Sequence, residues 1–342
     1  MRVGRGLRAF EKTTPTIDEL LKKPIRELGL KLEGSPLERF VNQLYRELER
    51  KGVKRFRPLC YLSTEWGCPS DEPIIAIPFY LANPELAHLE AEMDDLEDAR
   101  QIMMYLRHEA GHAFNYAYEL YRTSEWRDLF GPFRRPYRED YRPVPFSRRY
   151  VRHIAGWYAQ KHPDEDFAET FAVWLTPRLK WRERYRGWGA MTKLRYVNRM
   201  AKNLGLVDPV RTRGDKDEPI EEIDDTVAEY YRDATRSERL PVDLPLENDL
   251  SDIFKATKKK RGIRPAADLL RENRKAIIDK VTYWTGMQRP LVKNVIRSIE
   301  MKVAEQGLVA EVKAEREYLV EVTAYATTLA MNYLTRGKFV QP

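Results

Sequence analysis

Apolar positions along this chain fall partly at helical spacing and partly in short runs. Between Ser35 and about Gly52, Phe40, Val41, Leu44, Tyr45 and Leu48 fall at helical spacing behind Ser35-Pro36-Leu37-Glu38, which reads as a capping box with proline in the first turn. Two short apolar runs follow, Arg57–Leu62 and Ile74–Tyr80, separated by the turn-rich WGCPSDEP, and they read as strands, a hairpin closed by a long loop. Asn83-Pro84-Glu85 then opens a long helix expected to run to about Tyr121. Its apolar stripe takes in Leu96, Ala99, Met103, Leu106, Ala110, Ala113, Phe114 and Ala117. From Arg122 to Arg152 the period is lost. Nine arginines, interleaved with tyrosines and prolines, make this stretch a candidate cover over a site. Pro163 starts a further helix, DEDFAETFAVWL, which stops at Thr176-Pro177.

Beyond about Gly205 the pattern changes. Residues 206–262 are polar, acidic first and then basic, and read as a linker with short helices; residues 263–342 read as amphipathic helices, with Val281, Trp284, Met287, Val292 and Ile296 on a core stripe. The expected organisation is therefore a basic N-terminal arm (1–34), a central domain (35–205), the linker (206–262) and a helical C-terminal domain (263–342). The fold class expected is α+β, a small sheet packed on helices.

Charge narrows the partners only a little. The formal net charge is +7, but 53 acidic residues argue against a dedicated nucleic-acid arm, so nucleic acid is not the expected partner. No stretch reaches the roughly 18 apolar residues of a membrane span. The basic N-terminus is followed by no apolar run, so a cytoplasmic chain is expected. The two cysteines, Cys60 and Cys68, are spaced as neither a metal knuckle nor a disulfide framework and read as reduced thiols. Any metal must then be held by histidines and carboxylates.

Five histidines occur in all, and two of them stand in His108-Glu109-Ala110-Gly111-His112, an H-E-x-x-H late in the long helix. Residues four apart share a helical face, so both imidazoles can reach one metal, and Glu109, one step round, can approach a water on it. Zinc lowers the pKa of such a water toward ~7, and a carboxylate can take its proton as it attacks a carbonyl. The small residues Ala110 and Gly111 allow another element to pack closely. The third ligand is expected in His162-Pro163-Asp164-Glu165-Asp166-Phe167-Ala168-Glu169, where a helix begun at Pro163 sets Glu165 and Glu169 one turn apart on one face. Periodicity alone does not separate Glu165 from Asp166 or Glu169. His162 reads as a capping or packing residue, His153 as a weaker neighbour of the site, and His88 as too far upstream to join it.

The two motifs in this order resemble the gluzincin metallopeptidases, the thermolysin-like clan. HPDEDFAETFAVWL is similar to the second motif of bacterial zinc-binding metallopeptidases, with WRDLFGPFR a looser likeness between the motifs. The E-x-F-A-E-x-F pattern is similar to the anthrax lethal factor catalytic domain. The likeness spans roughly Leu59 to Thr176. It implies a minimal zincin core, one Zn2+ per chain on His108, His112 and Glu165, and Glu109 as general base. It also implies Glu169 as the acid behind a zinc-bound histidine, and Tyr158 as a phenol near the metal that stabilises the oxyanion. In such folds the strand before the metal helix pairs with extended substrate, so Ile74–Tyr80 is a candidate edge for a protein or peptide substrate. The resemblance does not reach residues 206–342, whose helices could offer a surface to a partner protein. Two other readings compete: a zinc-containing binding module without catalysis, and a nucleic-acid-associated protein using the Arg/Tyr-rich segment.

Overall fold

The computed structural model describes residues 17–92, 96–138, 141–237, 249–254, 262–337 and 339. Residues 1–16 of the expected N-terminal arm lie outside that range. Apolar side chains gather in two cores, one drawing on residues from Leu20 to Val227 and the other on residues from Leu250 to Phe339. Among the described residues, no helix is long and apolar enough to cross a membrane.

The first core is built around two antiparallel helices. One, the His helix (Ala99–Ala117), starts at a capping box in which the Asp98 carboxylate accepts from the Gln101 amide at 2.8 Å and the Gln101 side chain accepts from the Asp98 amide at 3.0 Å. That cap corrects the expectation of one long helix from Asn83. A separate helix, Pro84–Glu92, is capped by Asn83, residues 96–98 are not helical, and the His helix starts at Ala99. Leu96 therefore leaves the expected stripe, and its carbonyl instead accepts from Lys275 at 3.0 Å. The second, the Glu helix (Pro163–Leu175), has proline in its first turn and all thirteen residues buried. It lies between the His helix and the helix Ala190–Leu204. Gly111 makes the close approach possible, since a Cβ there would stand 2.7 Å from Ala168 Cα. Phe114 and Phe171 complete the contact, their ring centroids 5.0 Å apart.

The sheet corrects a second expectation. Strands β1 (Leu59–Ser63) and β2 (Ile74–Pro78) pair parallel, Leu59 opposite Ile74, rather than as a hairpin. The connection has ten residues to double back with, and it does more than turn: Gly67 bridges antiparallel to Ala76 on the other side of β2, with Ala76 N–H donating to Gly67 O at 2.8 Å. At Ala76, the edge expected to receive substrate is thus occupied by the chain itself, and all five β2 residues are buried.

The arginine-rich stretch is also more regular than its sequence. It contains a helix, Ser124–Phe130, capped by the Thr123 hydroxyl and anchored by buried Trp126 and Phe130. Two anchors four apart are a period too short to stand out in the sequence. Cys60 and Cys68 are both free thiols. Further along, Ile220 and Val227, within the polar stretch, are buried in the first core.

The second core holds helices Ala266–Thr285, Arg289–Glu305 and Glu315–Arg336, with an antiparallel pair of three-residue strands, Ile263–Pro265 and Val309–Glu311. Val281, Met287, Val292 and Ile296 are buried as expected, but Trp284 is 52% exposed, its ring against Tyr283 at the surface. The C-terminal region approaches the Trp157 ring at Gly286, whose backbone is left-handed (φ 79°).

Candidate metal centre

Helical spacing sets His108 and His112 on one face of the His helix, and antiparallel packing then decides what each meets. Advancing four residues on that helix corresponds to retreating four or five on the Glu helix. His108 therefore lies beside Glu169, His112 lies beside Asp164, and Glu165 reaches between them. Glu165 Oε2 is 3.0 Å from His108 Nε2 and 3.2 Å from His112 Nε2, and the two Nε2 atoms are 3.1 Å apart. A tetrahedral ion with bonds of about 2.0–2.1 Å separates its ligand atoms by about 3.3 Å. These three atoms can therefore meet one ion, and the donor set of two imidazoles and one carboxylate suits zinc.

The remaining ring nitrogens have carboxylates of their own. His108 Nδ1 is 3.0 Å from Glu169 Oε1, and His112 Nδ1 is 2.8 Å from Asp164 Oδ2. Each pairing directs the Nε2 atom inward, the arrangement that orients metal-binding histidines. Glu169 is itself fixed by the amides of His153 and Ile154, at 3.1 and 2.9 Å. Asp164 accepts from Asn115 at 2.9 Å and from the Tyr116 hydroxyl at 2.5 Å.

The electrostatics follow from burial and proximity. Burial opposes charge on His108, but Glu165 and Glu169 outweigh it and raise its pKa to about 9. Burial likewise opposes charge on His112, and Asp164 and Glu165 raise it well above the ordinary value. Burial also works against ionised Glu165, yet the two imidazoles hold its carboxyl well below the usual carboxylate range. Glu109 differs: burial pushes its pKa up, and among the described residues no hydrogen bond ties its carboxylate down.

Of the other residues singled out from sequence, Tyr158 is brought to the centre, its ring centroid 5.6 Å from that of His108. Burial, then Glu165 and Glu109, push its phenol far above the ordinary value, so it stays a hydroxyl donor. Asp166, an alternative ligand by sequence, points the other way and pairs with buried Lys193. His162 caps the Glu helix. Its Nδ1 accepts from the Asp164 amide at 3.1 Å, its Nε2–H donates to Arg135 O at 2.6 Å, and burial lowers its pKa. His153 turns away, its Nε2 3.0 Å from the Met104 carbonyl.

Sequence reasoning missed Asp164. The signal was present in the antiparallel register: if Glu169 serves His108, the residue serving His112 must lie about one turn plus one residue earlier, and Asp164 is the acid there. Asn in its place keeps the size but removes the charge that holds His112. The expected result is a zinc affinity lower by about 10–100-fold with the fold intact, read by competition titration against a chromogenic chelator.

The segment is α+β, a helix carrying a zincin-like H-E-x-x-H motif met by a glutamate-bearing helix beside a small two-stranded sheet. Residues 76–182 match the family described as "Putative zinc-binding metallo-peptidase". No curated protein matches the chain, and no solved structure does.

Proposed function

We propose that this chain is a zinc-dependent peptidase in which His108, His112 and Glu165 hold one metal ion and Glu109 is the general base. The observation that carries the reading is the closeness of the three inward ligand atoms, 3.0–3.2 Å apart, with each histidine's second nitrogen taken by a separate carboxylate. When bound, zinc acidifies a water toward ~7 and polarises the carbonyl that the water attacks.

The chain's own residues supply the rest. Glu109, raised by burial and free of hydrogen bonds among the described residues, accepts the proton of the attacking water and passes it to the leaving amine. Tyr158 keeps its proton and stands beside His108, where its hydroxyl can donate to the carbonyl oxygen as negative charge develops. Glu169 and Asp164 keep both imidazoles in the tautomer that presents Nε2 inward.

Metal removal tests the reading. Protein stripped by a strong chelator should lose hydrolysis of a quenched-fluorescence peptide mixture, and one equivalent of zinc per chain, counted by elemental analysis, should restore it. Equal cleavage by stripped and loaded protein would remove the proposal.

A further inference from the structure

Beside the metal centre lies a cavity of about 1050 Å³, with Tyr116, His162 and Asp164 in its wall. Asp164 is the residue that holds His112, so the cavity wall and the metal centre share a side chain. Sites for small ligands typically enclose about 300–1,000 Å³, so this one has room for a segment of peptide.

The charges around it are unevenly placed. Arg122, Arg127, Arg134 and Arg135 all line the cavity and are exposed. Arg122 pairs with Glu119 at 3.2 Å, whereas Arg127, Arg134 and Arg135 form no ion pair among the described residues. Two acids share the lining: Asp71 acts on Arg122, and among the described residues neither acid pairs with Arg127, Arg134 or Arg135. Asp164 is buried and already accepts from His112, Asn115 and Tyr116, and Asp71 turns a carboxylate oxygen into the protein. A concave surface with one sign of charge at its mouth and low-dielectric walls concentrates ligands of the opposite sign.

We infer that this cleft binds acidic segments of a polypeptide substrate, aspartate or glutamate side chains engaging Arg127, Arg134 and Arg135 while the neighbouring peptide bond lies toward the metal centre. The inference rests on the peptidase reading for calling the bound segment a substrate. A peptide suits the cleft better than nucleic acid. Tyr137, the exposed aromatic in the lining, is stacked on His162 at 3.9 Å, so one of its faces is already covered, and stacking on aromatics is how single strands are gripped without regard to sequence. The same His162 ring also fixes the Arg135 backbone, its Nε2–H donating to the Arg135 carbonyl.

The experiment uses zinc-loaded full-length protein carrying Glu109→Gln, so that binding is read without cleavage. The probes are fluorescein-labelled deca-glutamate, deca-lysine and a ten-nucleotide oligo-dT. Deca-glutamate should bind, deca-lysine should not, and Arg134→Glu with Arg135→Glu should weaken deca-glutamate binding by about tenfold with zinc content and melting temperature unchanged. Arg127→Glu alone, from another part of the lining, should give a smaller loss in the same direction. Equal binding by the double variant and its parent would overturn the assignment, and so would tighter binding of oligo-dT than of deca-glutamate. A second arm uses the Glu109-containing enzyme on quenched peptides flanked by glutamate or by lysine. Preference for the glutamate-flanked peptide, lost in the double variant, supports the inference. Equal cleavage of both peptides overturns it and leaves the peptidase reading standing. Arginine-dependent binding of deca-glutamate without cleavage of any peptide removes the peptidase reading instead.

Discussion

Replacing Glu109 by glutamine is expected to leave zinc in place and to lower peptide cleavage by about 10²–10⁴-fold, the range attributed to a positioned general base. The substitution is close to isosteric, and Glu109 makes no hydrogen bond among the described residues that the fold would miss. It also removes one member of a buried group of acids: burial raises the Glu109 pKa, His108 and His112 lower it in part, and Glu165 and Asp164 raise it more weakly. Melting temperature should therefore stay level or rise slightly. Zinc content by elemental analysis, a thermal melt and kcat on one quenched peptide measure the three consequences separately. A glutamine variant that is folded, zinc-loaded and fully active would show that the carboxylate takes no part in the chemistry. Loss of zinc together with activity would show instead that Glu109 acts through the metal site. The arrangement argues against that second outcome, because both Nε2 atoms meet Glu165 and both Nδ1 atoms have partners other than Glu109.

How far the site could be read from sequence depended on how local each relation is. The spacing of His108 and His112 is set within one helix turn, so the motif alone places them on one face. The third ligand was not local. Glu165, Asp166 and Glu169 all sit on the first turns of one helix, and only the packing of that helix against its neighbours separates them: Glu165 reaches between the histidines, Glu169 reaches His108, and Asp166 pairs with Lys193. The resemblance to known zinc peptidases implied Glu165, and the packing sets that carboxylate within 3.0 and 3.2 Å of the two Nε2 atoms. Non-local relations were lost for the same reason. The parallel pairing of β1 with β2 goes with a loop that places Gly67 against Ala76, and a short apolar run carries no sign of strand direction. The break before Ala99 was locally encoded in Asp98 and Gln101, but the apolar stripe running through Leu96 masked it. Contact between the C-terminal region and the Trp157 loop next to Tyr158 goes through Gly286, where a Cβ would meet the Trp157 ring, a relation between distant positions that no local pattern carries.

The middle of the motif gives the sharpest test of the packing. Alanine at Gly111 ought to stabilise an isolated helix by about 1 kcal/mol, because glycine is the poorer helix former. In this fold the opposite sign is expected. A Cβ at position 111 would lie 2.7 Å from Ala168 Cα, 2.9 Å from Ala168 O and 3.1 Å from Phe171 Cβ. Two of those atoms are backbone, so rotating a side chain cannot relieve the contact, and the helices themselves must separate. Overpacking of this kind costs about 1–3 kcal/mol, which cancels or exceeds the gain in helix propensity. The larger consequence falls on the metal centre. The histidines ride on one helix and Glu165 on the other, so pushing them apart lengthens the 3.0 and 3.2 Å separations between Glu165 and the two rings. Such constellations tolerate displacements of only about 0.5 Å. Gly111→Ala should thus bind zinc at least about tenfold more weakly than the parent while its metal-free form melts at the same or a lower temperature. A variant that melts higher and binds zinc equally well would mean that the two helices have slack between them, and the closeness of Gly111 to Ala168 would then not be what sets the width of the site.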